Sequence, residues 1–141
     1  MKESEHGTME QTLVFIKPDG VERQLVGQII QRFEAANLKM KAVNMTLLTT
    51  ELLTAHYQHL IGQPFFSKLL AYMTEGPVVL LILEGEQAVA RVRKIVGATN
   101  PLTADMGTIR GDYGINQTRN LVHASDLSAN AQIEIARFFG K

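Results

Sequence analysis

The sequence predicts one domain in which a small sheet is covered by helices. Three observations carry that prediction. Short apolar runs alternate along the chain with stretches whose apolar residues recur every three or four positions. One run, "VVLLIL" at 78–83, is apolar throughout, which suits a central strand with both faces covered. A length of 141 residues, 45% of them apolar, supplies a single core, and no internal repeat or linker divides it.

In chain order, residues 1–11 are polar and mixed in charge, so a frayed or disordered tail is expected there and the domain itself over 12–141. "TLVFI" (12–16) reads as the first strand and "KPDG" after it as a turn. From Val26 the apolar residues Ile29, Ile30 and Phe33 fall on one helical face, and Asn37 is placed to end that helix. "KMKAVNMTLL" alternates loosely, as a strand does. Thr49 or Thr50 suits the cap of a helix carrying Leu52, Leu53, Tyr57 and Leu60. Pro64 suits the first turn of a further helix, "PFFSKLLAYMT", closed by Gly76 and Pro77. After the apolar strand, "EQAVARVRKIV" is helical and stops at Gly97. Residues 98–119 show no clear period, and a loop of that length inside a compact domain is usually functional. "NLVHA" reads as the fourth strand. "SANAQIEIARFFG" reads as the last helix, capped by Ser128 or Asp126 and ended by Gly140. The resulting order, β-α-β-αα-β-α-β-α, favours a parallel, doubly wound sheet. A split sheet, in which the helix pair joins two antiparallel strands, fits the same order.

Several classes of function are disfavoured. Lys and Arg number 14, as do Asp and Glu, so the formal net charge is zero and no specific nucleic-acid partner is expected. "VVLLIL" also lacks the aromatic residues of an RNA-binding sheet. Cysteine is absent, which removes disulfides and cysteine metal sites and fits a reducing, cytoplasmic setting. The polar opening has no apolar signal region, and the longest apolar run is far too short for a bilayer, so no membrane partner is expected. Neither GxxxxGK[ST] nor GxGxxG occurs. Any bound phosphate must be held by side chains.

Some of those side chains are legible. Lys17 ends the first strand and, alone, reads as a solvated lysine. Arg93 lies on a helix whose exposed face is an ordinary place for arginine. Arg110, in "GTIRGD", is flanked by glycines that allow close backbone approach, and an arginine fork grips phosphate through two donors. His123, in "RNLVHASD", stands where a short apolar run ends and a strand needs no imidazole. A neutral imidazole suits phosphoryl transfer near neutral pH. One ring nitrogen attacks while the other keeps its proton against an acceptor, for which Glu134 in the last helix is the candidate. The plainer alternative is a histidine hydrogen-bonded at a loop edge. His56 and His59 read as partly exposed helix residues without another evident ligand beside them. Of Phe65 and Phe66, one belongs in the core and the other is free to act as a stacking platform for a base.

Together these residues resemble the nucleoside diphosphate kinase family. The likeness runs from about Thr12 to Phe139 and is carried by "IKPDGV", "HY", "PFF", "GPVV", "GATNP", "GTIRGD" and "RNLVHASD" in that order. It implies a ferredoxin-like α+β fold, a four-stranded antiparallel sheet with a βαββαβ core, an inserted helix pair and covering helices. It also implies reversible ping-pong transfer of a γ-phosphoryl group from nucleoside triphosphates to diphosphates, which maintains the NTP and dNTP pools. In this likeness His123 accepts the phosphoryl group, Glu134 orients its imidazole, Ser125 belongs to the same hydrogen-bond set, and Tyr57 lies beside the histidine and the phosphates. Lys17, Arg93, Thr99 and Arg110 meet the phosphates, Asn120 lies near the ribose and the lysine, and Phe65 stacks on the base. Mg²⁺ is implied as cofactor, bound mainly through the nucleotide phosphates, and so is a homo-oligomer, a tetramer or hexamer built from dimers. The alternative within the likeness is a non-catalytic nucleotide-binding relative with a regulatory role. Gln24, Gln63 and Leu127 depart from residues common in the family, at none of the matched site positions.

Overall fold

A computed structural model describes residues 9–140. The strands are β1 (Met9–Ile16), β2 (Lys39–Thr46), β3 (Val78–Glu86) and β4 (Val122–Ala124). The helices are α1 (Pro18–Glu22), α2 (Val26–Ala35), α3 (Thr50–His56), α4 (Phe66–Met73), α5 (Ala88–Val96), α6 (Ile109–Tyr113) and α7 (Ser128–Phe139), with a 3-10 turn at Gln58–Leu60. The sheet order is β2-β3-β1-β4, and every pairing is antiparallel. This is the split arrangement with a helix pair inserted between β2 and β3. It corrects the parallel sheet that alternation alone favoured.

The reason lies in the two cores. Val14 and Ile16 of β1 pack with Val79, Leu81 and Leu83 beneath α2 and α5. Leu13 and Phe15 pack with Leu80 and Ile82 beneath α3, α4 and α7. A sheet covered on both faces needs apolar residues at every position of its central strands, whichever way those strands run. "VVLLIL" therefore reported coverage, and β3 is central as expected, but it did not report direction.

Several boundaries differ from the sequence expectation. The first strand begins at Met9, which pairs with Glu86, so residues 9–11 are strand and not tail; the rest of the expected tail lies outside the described residues. The "KPDG" turn is a short helix, because Pro18 takes the first helical position, where its missing N–H costs nothing. Helix α4 starts at Phe66 after a turn through Pro64, closed by Phe66 N–H donating to Gln63 O at 3.1 Å. Glu86 still belongs to β3, which delays α5 to Ala88. Thr49 does cap α3, its side chain accepting from Leu52 N. Neither Ser128 nor Asp126 caps α7; Leu127 stands at that cap, and Asp126 instead accepts from the Asn130 side chain at 2.7 Å. Gln24 adopts a left-handed backbone (φ 60°), the conformation for which glycine is the easiest residue.

Candidate active site

Alternation along β4 sends Val122 and Ala124 into one core and His123 to the opposite face. There the His123 ring stacks on Phe15 at 4.8 Å between centroids. His123 Nε2 lies 2.8 Å from Glu134 Oε1, and the same oxygen accepts the hydroxyl of the buried Ser125 at 2.7 Å. Burial lowers the His123 pKa below its ordinary value, the Glu134 hydrogen bond and charge oppose that, and Lys17 and Arg110 add to it. The ring is neutral at pH 7. Its proton sits on Nε2 against the carboxylate, so Nδ1 keeps a lone pair. Burial alone raises the Glu134 pKa, but the hydrogen bond and charge of His123, with the Ser125 hydroxyl, hold it below the usual value.

Replacing that carboxylate tests the arrangement. Glu134→Gln is expected to lower kcat about 10–100-fold, in line with other groups that orient a reacting ligand, and to leave the nucleotide KM unchanged. The carboxylate raises the His123 pKa, so its loss moves the acid limb of the pH–rate profile to lower pH. An unchanged kcat would remove Glu134 from the site.

The cations arrive from three segments. Lys17, buried at the end of β1, donates to Asn120 Oδ1 at 2.8 Å, and Asn120 Nδ2 donates to Thr99 O at 2.9 Å. Burial, aided by the Arg110 charge and opposed by Asp19, brings the Lys17 pKa down to about 8, so the ammonium is still mostly charged at pH 7. Arg110 projects from α6, a helix that lies within the supposedly structureless loop. The Thr108 side chain caps it by accepting from Gly111 N, and a Cβ at Gly111 would lie 2.0 Å from Asp105 O, which explains the glycine. Arg110 donates to Val122 O at 2.6 Å and Gly97 O at 3.1 Å; Arg93 donates to Ala124 O at 3.3 Å. Because His123 faces β1 in the ladder, the carbonyls of its two neighbours point to the free edge of β4. Those carbonyls hold the two arginines. Burial and then the Arg93 charge lower the Arg110 pKa to about 10, while burial and then Glu134 raise that of Tyr57, keeping its hydroxyl protonated.

One cavity, of about 1020 Å³, collects these groups. Every residue expected to meet the nucleotide lines it, as do Tyr57, His123 and Glu134; Ser125 does not line it. Phe65 stands at the cavity with 48% exposure, while Phe66 packs against the core, which divides the two aromatics as expected. Sequence reasoning missed His56. It is buried, not exposed, and packs edge-on against His123 at 4.6 Å. Arg137 donates to its Nδ1 at 3.2 Å, and burial, with the charge of His123 next, lowers its pKa to about 3. The signal was available, since His56 stands three residues after the fully buried Leu53 on one helical face. His56, His123 and Glu134 offer donor atoms within 4.8 Å of one another, yet the Arg137 guanidinium on one ring and the nearby cations disfavour a resident metal ion.

A cavity lined by two buried cations, Lys17 and Arg110, by the exposed Arg93 and by a neutral imidazole has the chemistry of a protein that handles phosphate esters. The family model described as nucleoside diphosphate kinase matches residues 10–141. A nucleoside diphosphate kinase of Trichodesmium erythraeum is 52% identical over 131 residues, covering 93% of this chain and 88% of the relative. One from Methanosphaera stadtmanae is 48% identical over 130 residues, covering 92% and 86%. Among solved structures, the nucleoside diphosphate kinase of Encephalitozoon cuniculi superposes with a TM-score of 0.91 at 42% identity, covering 94% of this chain and 90% of that one. The Aquifex aeolicus enzyme gives 0.88 at 37%, covering 94% and 96%. The chain belongs to the nucleoside diphosphate kinase family. It is a kinase that transfers phosphoryl groups between nucleotides.

Proposed function

We propose that transfer runs through a phosphohistidine at His123 Nδ1. A nucleoside triphosphate lies with its base on Phe65 and its phosphates against Lys17, Arg93, Thr99 and Arg110. The bond from the γ-phosphorus to the β,γ-bridging oxygen breaks and a P–N bond forms. The diphosphate leaves with the electron pair, and a second diphosphate reverses the step. The transition state is loose, so the protein positions the reactants and stabilises charge. Tyr57 supplies a further protonated hydroxyl in the cavity, and Asn120 reaches both Lys17 and the ribose side. Lys17, Arg93 and Arg110 are cationic and offer a metal no ligand, so Mg²⁺ would be carried mainly by the nucleotide with few protein ligands and would supply neutralisation of phosphate charge.

The observation that carries this reading is the hydrogen bond that commits Nε2 of a neutral ring to Glu134 and leaves Nδ1 available. Intact Lys17, Arg110 and His123, gathered at one cavity, favour turnover over a purely regulatory nucleotide-binding role. Incubation with γ-labelled ATP is expected to give a labelled protein whose label is lost in acid, kept in alkali and passed to GDP. An alkali-labile, acid-stable label, or none, overturns the phosphohistidine.

The open edge of β2, where Val43 and Met45 are 55% and 58% exposed, supports the homo-oligomer expected from the sequence. Among the described residues no helix is long and apolar enough to cross a membrane, and work on nucleotide pools supports the cytoplasmic placement.

A further inference from the structure

Tyr72 and Asp19 take no part in the chemistry described above, and both are buried. The Tyr72 hydroxyl donates to Asp19 Oδ1. Asp19 Oδ2 is buried with no hydrogen-bond partner among the described residues, so the tyrosine is this carboxylate's only side-chain donor and its removal is costly. The bond joins two halves of the site. Asp19 lies two residues after Lys17, in α1. Tyr72 lies in the last turn of α4, whose N-cap is Phe65 and whose Lys68 and Leu69 line the cavity. A third segment meets them. The Arg119 guanidinium sits 4.8 Å from the centre of the Tyr72 ring and pairs with Glu75, just beyond α4, at 3.3 Å. Asn120, the next residue after Arg119, accepts from Lys17.

Helix α4 is thus tied to α1 and to Arg119 at its C-terminal end. Its buried residues are Tyr72 and Met73, both at the C-terminal end, whereas Phe65 at the other end is 48% exposed. Tyr72 lies seven residues after Phe65, a distance of about 10 Å at 1.5 Å per residue. Phe66, Leu69 and Leu70 are only partly buried where they pack against the core, so the fully buried C-terminal end does most to set the placement of the helix and with it of Phe65.

We propose that Tyr72 and Asp19 are a positioning pair that sets the span between the base platform and the phosphate-binding Lys17, so that the enzyme favours nucleotides over phosphates without a base. This rests on Phe65 being the base platform. The pair touches neither substrate nor His123; it acts through Phe65.

The test uses steady-state transfer from ATP, with ADP-site affinity read from KM and phosphate-site affinity read from competitive inhibition by pyrophosphate. Tyr72→Phe is expected to raise the nucleotide KM about five- to tenfold, as loss of one buried hydrogen bond allows. kcat stays within about twofold of wild type, and the pyrophosphate inhibition constant is unchanged. In a Phe65→Ala background the further effect of Tyr72→Phe is expected to vanish, the coupling that a double-mutant cycle measures. Equal weakening of pyrophosphate, or additive effects of the two substitutions, overturns the pair's role. If Phe65→Ala leaves the KM untouched, the base platform itself is wrong and the proposal falls with it. If Tyr72→Phe does not fold, hydrogen exchange of the wild-type enzyme decides. ADP, but not pyrophosphate, is expected to protect amides 66–70, while 72–74 are protected without ligand. Protection of 66–70 by pyrophosphate overturns the proposal.

Discussion

His123→Ala is expected to abolish phosphoryl transfer while leaving nucleotide binding nearly intact. In the proposed mechanism the substitution removes the atom that receives the phosphoryl group, and among the described residues no neighbour is placed to replace it. His56 is the nearest other imidazole, but its Nδ1 accepts from Arg137 and its ring is turned 88° from that of His123. The cations and Phe65 belong to other segments and stay in place, so ADP affinity by calorimetry should remain close to wild type. The lost ring stacks on Phe15, and a void beside a core aromatic lowers stability by roughly 1–3 kcal/mol; a modest fall in Tm is therefore expected. Residual label from γ-labelled ATP on the purified variant would show that another side chain is the acceptor.

Arg110→Ala should lower kcat/KM by about 10²–10³, the cost of deleting one donor preorganised towards developing charge. Its guanidinium is buried, and two of its donors are spent on Val122 O and Gly97 O. Truncation therefore does two things. It removes positive charge from the proposed phosphate site, and it strips two backbone carbonyls of their partner, which costs about 1–3 kcal/mol of stability for each one left buried. Arg110→Lys separates them. A lysine restores charge but not the fork, so it should recover part of the rate and little of the stability. Rate loss below tenfold in the alanine variant, measured with folded protein, would take Arg110 out of the phosphate contacts.

The chemistry was more legible than the topology. His123 was conspicuous because an imidazole is out of place at the tip of an apolar strand, and Arg110 because glycines flank it. Both features are local. Strand direction is not local, and β1 and β3, buried on both faces, look alike in either direction. His56 is hard to see in the sequence because His59, three residues on, is exposed and suggests a solvated face; the buried Leu53 three residues earlier is the better guide. Helix α6 hid inside the long loop because five residues are too few to show a period. Ser125 and Glu134 could be matched to a role through resemblance, but their shared hydrogen-bond geometry required coordinates.

The two borders of the sheet have opposite characters. Strand β4 is three residues long, and its outward carbonyls are taken by Arg93 and Arg110. Strand β2 is eight residues long and ends the other side of the sheet. Among the described residues, a chain extending the ladder would find the first rim plugged by guanidinium groups and the second unpaired. Any self-association by strand addition would thus be steered away from the imidazole.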